Sequence, residues 1–233
     1  MYLLPHTNAS AAYYKRKFTA YNFTIFDLTA SQGHCYGWDE SIGNKGCNEM
    51  SSYVLMYLRQ AAAEGKKTVI FWSDNCGSQN KNRFLFAMYL VASAQLGITI
   101  LHRHLVKGHT QNEADSMHAR IESACKNENL FVPEDWYKVI ETAKLTGNPY
   151  IVNRISRAEI LNFRPLTEKH LSWPTGCRWD EVAELLVDHT SSLWELKVKY
   201  DLGDIEYTPV HLKSKNAGRP VNFETYTPQC AYS

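Results

Sequence analysis

Three carboxylates stand where their spacing along the chain could build a metal site: Glu49, Asp74 and Asp115. Asp74 ends the apolar run in "FWSDNCGSQNKNRFLF", residues 71–86, where a strand gives way to a small polar loop. Ligands of α/β sheets gather at the carboxyl ends of strands. Glu49 opens the first predicted helix, and Asp115 lies one turn into the helix that follows the next strand. Brought together by neighbouring parallel strands, the three would repel one another unless a divalent cation lay between them. Mg2+ (or Mn2+) suits that place, because it takes oxygen ligands, keeps several waters and supports attack on a phosphodiester. Glu49, Asp74 and Asp115 are therefore the expected catalytic and metal-ligating residues.

Each acid also has a plainer reading. Asp74, followed by Asn-Cys-Gly, can form an Asx turn, and Glu49 can simply complement the positive end of its helix. Thr110 and Glu113 in "TQNE" fit a capping box, which accounts for Glu113 and leaves Asp115 as the preferred ligand. On that helix Asp115, His118 and Glu122 share one polar stripe, while Met117, Ile121 and Ala124 face the core. His118 and Glu122 are expected to support the site, and the stripe also reads as an ordinary solvated face.

Two basic clusters flank the acids. Lys81 and Arg83 fall at a helix start, a place that favours anions. "HRHLVKGHT" adds His102, Arg103, His104, Lys107 and His109. Lys81, Arg83, Arg103 and Lys107 are the expected nucleic-acid contacts, and His109 would support the leaving group or bond the loop backbone. Alternation puts His102 and His104 on one strand face. Zinc binding by these histidines with Cys76 or Cys125 lacks any recognised ligand spacing.

The elements that must position these groups follow from pattern. Residues 20–28 and 34–40 read as an antiparallel strand pair. Helical spacing runs from Asn48 to Glu64, stopped by Gly65. A buried strand is expected at 67–72, a mostly apolar helix from Asn80 to Leu96 closed by Gly97, a strand at 98–106 and a helix from Thr110 to about Lys126. "VPEDWYKVIETAKLTG" reads as a helix with an acidic start, residues 179–200 as helical or mixed, and the tail from Asp201 as extended or loose. The fold class is α/β, a mixed sheet with flanking helices in residues 1–128, and 129–233 is expected to form a mainly helical and irregular appendage.

The totals agree with one ordinary domain and an appendage. The chain has 233 residues, 44% of them hydrophobic, which speaks against wholesale disorder. A net charge of +1 carries no global sign of a nucleic-acid partner, so any such partner must be read from local charge. Six scattered cysteines without a C-x-x-C pair argue against a zinc ribbon or a disulfide framework. No run approaches a membrane span, and "MYLLPHTNAS" lacks the features of a signal peptide.

Several stretches carry a family resemblance: "YYKRKFTAYNFTIFD" at 13–27, "WDESIGNKGCNEMSSYVLMYL" at 38–58, "WSDNCGSQNKNRFLFAMYL" at 72–90 and "KGHTQNEADSMHARIE" at 107–122. Over roughly residues 3–200 the chain resembles a transposon-derived family, domain of unknown function 7869, and its order of elements resembles the ribonuclease H-like fold of DDE/DDD transposases and nucleases. The resemblance implies ancestral two-metal phosphodiester chemistry on DNA or another nucleic acid. It also implies a first strand carrying a first aspartate, yet no Asp or Glu precedes Asp27 here. The expectation is a ribonuclease H-like core truncated at its first strand, domesticated or decaying, without robust cleavage. An active divalent-metal nuclease and a non-catalytic nucleic-acid or protein interaction module are the alternatives.

Overall fold

The computed structural model describes residues 1–7, 16–75, 81–105, 112–216 and 218–232. Along the first half run β1 (Tyr2–Leu4), β2 (Phe18–Asp27), β3 (Gln32–Asp39), α1 (Cys47–Ala63), β4 (Thr68–Ser73), α2 (Arg83–Leu96), β5 (Thr99–His104) and α3 (Glu113–Cys125). There follow α4 (Pro133–Thr142), β6 (Ile151–Arg154), β7 (Leu171–Ser172), β8 (Glu184–Val187), β9 (Glu195–Lys199), β10 (Thr208–His211) and β11 (Lys213–Ser214). The fold is mixed α/β with mixed sheets, but the single mixed sheet expected over residues 1–128 is split: β1, β2 and β3 share a sheet with β6, and β4 and β5 share another with β8, β9 and β10. It comprises two compact units: Met1–Lys45 with Gln111–Ile160 and Tyr232, and Gly46–Thr110 with Leu161–Ala231 and Ser233. Residue 128, after which the sequence suggests a boundary, lies inside the first unit between α3 and α4.

The first unit is built on the sheet β1-β2-β3-β6. β2 and β3 pair antiparallel, as the alternation predicts, and β6 runs parallel to β3. Asp27 closes the hairpin: its Oδ1 accepts the N–H groups of Thr29 and Ala30 at 2.8 and 2.9 Å, and Ser31 takes the left-handed φ of 52°. β1 pairs antiparallel with β2, from Tyr2 opposite Ala20 to Leu4 opposite Phe18. The core gathers Leu4, Ala20, Met117, Ile121, Trp136 and Ile140, so α3 buries Met117 and Ile121 as predicted, with Cys125 in place of the expected Ala124. Close approach needs glycine in β3. A Cβ on Gly33 would stand 2.6 Å from Met117 Cε, and one on Gly37 would stand 2.5 Å from Tyr137 Cε1.

The second unit is built on the sheet β10-β9-β8-β5-β4. β4, α2 and β5 form a crossover with the two strands parallel and adjacent, and α2 ends at Gly97 in the left-handed conformation, φ 62°. α1 packs on α2. The strand expected to be buried, β4, is instead the edge of its sheet, with Ile70 and Trp72 48% and 45% exposed. A continuous apolar run cannot by itself distinguish a central strand from an edge with one open face.

Residues 179–200 differ from the expected helical or mixed reading. They hold the antiparallel strands β8 and β9, whose buried Leu185 and Val187, Leu196 and Val198 recur with period two. β10 extends that sheet and β11 pairs with β7. Beyond residue 129 the only α-helix among the described residues is α4, beside a 3-10 turn at Arg157–Glu159 and a π turn at Leu166–His170. The expected mainly helical and irregular appendage is irregular over much of its length, and its short alternating apolar runs form strands where helix was expected. Among the described residues no helix is long and apolar enough to cross a membrane, and Cys35, Cys125 and Cys177 are free thiols.

Candidate functional site

Parallel register decides what meets at the carboxyl ends of β4 and β5. Phe71 lies opposite His102 and Ser73 opposite His104, so all four side chains share one face. Ser73 Oγ is 2.8 Å from His102 Nε2 and 3.3 Å from His104 Nδ1. Behind them the Tyr89 hydroxyl of α2 lies 3.0 Å from His102 Nδ1. Both histidines are buried, and His104 Nε2 has no hydrogen-bond partner. Burial, helped by the Lys81 charge, pushes His104 down to about 3. Burial first, then His104 and Lys81, holds His102 well below its ordinary value. The pair is therefore neutral at physiological pH, and Ser73 Oγ joins the two rings.

Asp74 follows at once and is exposed at the strand tip, as the sequence predicts. Ser73 Oγ donates to its backbone carbonyl at 3.1 Å. Glu49 is 3% exposed in the first turn of α1, and its Oε2 lies 2.7 Å from where a Cβ on Gly46 would stand. Its carboxylate is folded back over the start of its own helix, the plainer reading offered for it.

Of the expected Thr110–Glu113 box, Thr110 lies outside the described residues, and α3 starts at Glu113. The cap is Asn112, whose Oδ1 accepts the N–H groups of Ala114 and Asp115, and Asp115 Oδ2 accepts the Asn112 N–H at 3.0 Å. Asp115, not Glu113, is the carboxylate that closes the box. "TQNE" and "NEAD" both satisfy a polar-x-x-acid pattern, and the preference of asparagine for the cap position decides between them. His118 and Glu122 are exposed on the same helix, with His118 Nε2 3.1 Å from Thr24 Oγ1. Among the described residues no three His, Cys, Asp or Glu side chains group so as to hold a metal ion. Glu49 and Asp74 belong to the second unit and Asp115 to the first, where its Oδ2 is engaged by the Asn112 N–H.

The basic residues divide by environment. Lys81 is 8% exposed and donates to the Asp180 carbonyl at 2.8 Å. Arg103 lies opposite Glu184 in the β5–β8 register and is hydrogen-bonded to its carboxylate, with its guanidinium 5.1 Å over the Trp72 ring. Glu184 is 2% exposed and also receives the Tyr207 hydroxyl. Burial pulls the Glu184 carboxyl up, but Tyr207 and Arg103 outweigh it and hold it low. Arg83 is exposed in the first turn of α2. Lys107, His109 and Cys76 lie outside the described residues.

Sequence reasoning missed two residues beside Arg83. Trp173 and Lys215 line the same cleft in the second unit, and their separation along the chain left no local signal. The family model described as Domain of unknown function (DUF7869) matches residues 29–176, more than half of the chain. No curated protein and no solved structure matches it.

Proposed function

Since the chain belongs to the DUF7869 family, we propose that it is a nucleic-acid-binding domain of transposase-type, ribonuclease H-like descent that holds its ligand without cutting it. The order of elements supports that descent: a strand pair, a helix, then the parallel β4–α2–β5 crossover with Asp74 at its carboxyl tip, and a helix carrying Asp115. The observation that carries the absence of cleavage is the Asp115 carboxylate, which closes the capping box of α3. The cap commits one acceptor site of the carboxylate to the helix start and leaves fewer for a metal.

Nucleic acid is the proposed ligand because Arg83 is exposed at a helix start, where backbone N–H groups and the helix dipole already favour phosphate. The second reading, an active divalent-metal nuclease using Glu49, Asp74 and Asp115, draws on the exposed position of Asp74. The experiment is a nicking assay of the whole protein on plasmid and on RNA–DNA hybrid with Mg2+ or Mn2+. The proposal expects intact substrate together with salt-dependent binding. Cleavage abolished by Asp74→Ala would establish the nuclease reading instead, and binding with a salt slope near zero would point to a protein partner.

A further inference from the structure

The second unit carries a cleft of about 420 Å3, within the size range of small-molecule sites. Arg83 and Phe84 come from the first turn of α2, Glu168 from the π turn, Ser172 and Trp173 from the end of β7, and Lys215 from beyond β11. Two cations face one acid. The acid is already engaged, since Glu168 Oε1 lies 3.5 Å from Arg164 Nη1. Lys215 Nζ donates to the Glu168 carbonyl, which anchors its ammonium at the cleft.

Trp173 is a braced wall. It packs edge-on against Trp179 at 5.6 Å, and Trp179 packs on the buried Phe86 of α2 at 5.6 Å. Its indole Nε1 is buried without a hydrogen-bond partner, a donor left unmet by the protein itself. The cleft thus combines a fixed aromatic ring, a second ring in Phe84 and two cations.

We propose that this cleft takes one nucleoside monophosphate unit of a single strand, the base against Trp173 or Phe84 and the phosphate against Arg83 and Lys215. This inference rests on the nucleic-acid reading and gives it a place. A flat ring stacks on any base, while the cations follow the backbone. The same chemistry would accept a free nucleotide, so the test must separate strand from monomer.

The test uses the whole protein, with fluorescence anisotropy of labelled single-stranded oligothymidylate and quenching of tryptophan emission by free dTMP and AMP. Trp173→Ala, Arg83→Ala and Lys215→Ala are each expected to weaken strand binding about tenfold. Trp173→Phe should recover most of the loss, and free nucleotides should bind far more weakly than the strand. Lys215 is exposed, so Lys215→Glu keeps the test decisive if Trp173→Ala fails to fold. Strand binding unchanged by all cleft variants would overturn the cleft assignment and leave the nucleic-acid reading standing. Cleft-dependent binding of free nucleotide as tight as the strand would overturn the strand assignment. No strand binding at all would overturn both.

Discussion

His102 and His104 stand side by side on β5 with ring centroids 4.4 Å apart, and Ser73 Oγ lies within hydrogen-bond reach of both. Burial and neighbouring positive charge disfavour protonating either imidazole, and that depressed affinity for protons makes the second unit acid-sensitive. The unfolded chain titrates these histidines near 6.5, whereas folded His104 does so at about 3. Between those values the unfolded state binds more protons, so stability falls as pH falls. His104 should contribute a slope of about 1.4 kcal/mol per pH unit there, and His102 acts in the same direction. Urea midpoints at pH 7 and pH 5 should show the drop, and the His102→Asn/His104→Asn double variant should flatten it. An unchanged slope in that variant would assign the acid sensitivity elsewhere.

The α3 cap makes a separate prediction. Asn112→Ala and Asp115→Ala should each lower stability by about 1 kcal/mol, the usual cost of a lost cap. Glu113→Ala should have little effect. Thermal unfolding of the three variants checks this, and equal loss from Glu113 and Asp115 would contradict the assigned box.

Arg103 and Arg83 should separate cleanly. Arg103→Ala leaves the buried Glu184 without its guanidinium partner and should cost stability near the low end of about 3–5 kcal/mol. It should leave the salt dependence of strand binding unchanged. Arg83→Ala should do the reverse, lowering the log–log salt slope by about 0.7 with little change in stability. Denaturant melts and salt titrations on both variants decide the matter.

The glycines of β3 are fixed by packing. Gly37→Ala would drive a methyl into the Tyr137 ring and Gly33→Ala into Met117 and Tyr150. Each should destabilise by about 1–3 kcal/mol. Wild-type stability in either variant would mean that the facing side chains move aside freely.

The strongly periodic parts of this fold were legible in the sequence. The β2–β3 hairpin, α1, the β4–α2–β5 crossover and the core face of α3 all follow from spacing, Gly65 and Gly97. Boundaries governed by caps were not, as the Asn112–Asp115 box demonstrates. The strands in residues 179–200 escaped because four- and five-residue apolar alternations also fit a helix over so short a window. At the candidate site, the shared face of His102 and His104 was readable from alternation. Glu184 and the Trp173–Lys215 pairing were not, since each depends on strands that meet only in the folded sheet or cleft.

The most direct measurement is a native gel shift of an end-labelled single strand in Mg2+, with the shifted DNA then run under denaturing conditions. Binding without cutting predicts a salt-sensitive shifted band whose DNA keeps its full length. Mg2+-dependent fragments that disappear with Asp74→Ala, or no shift at low salt, would contradict it.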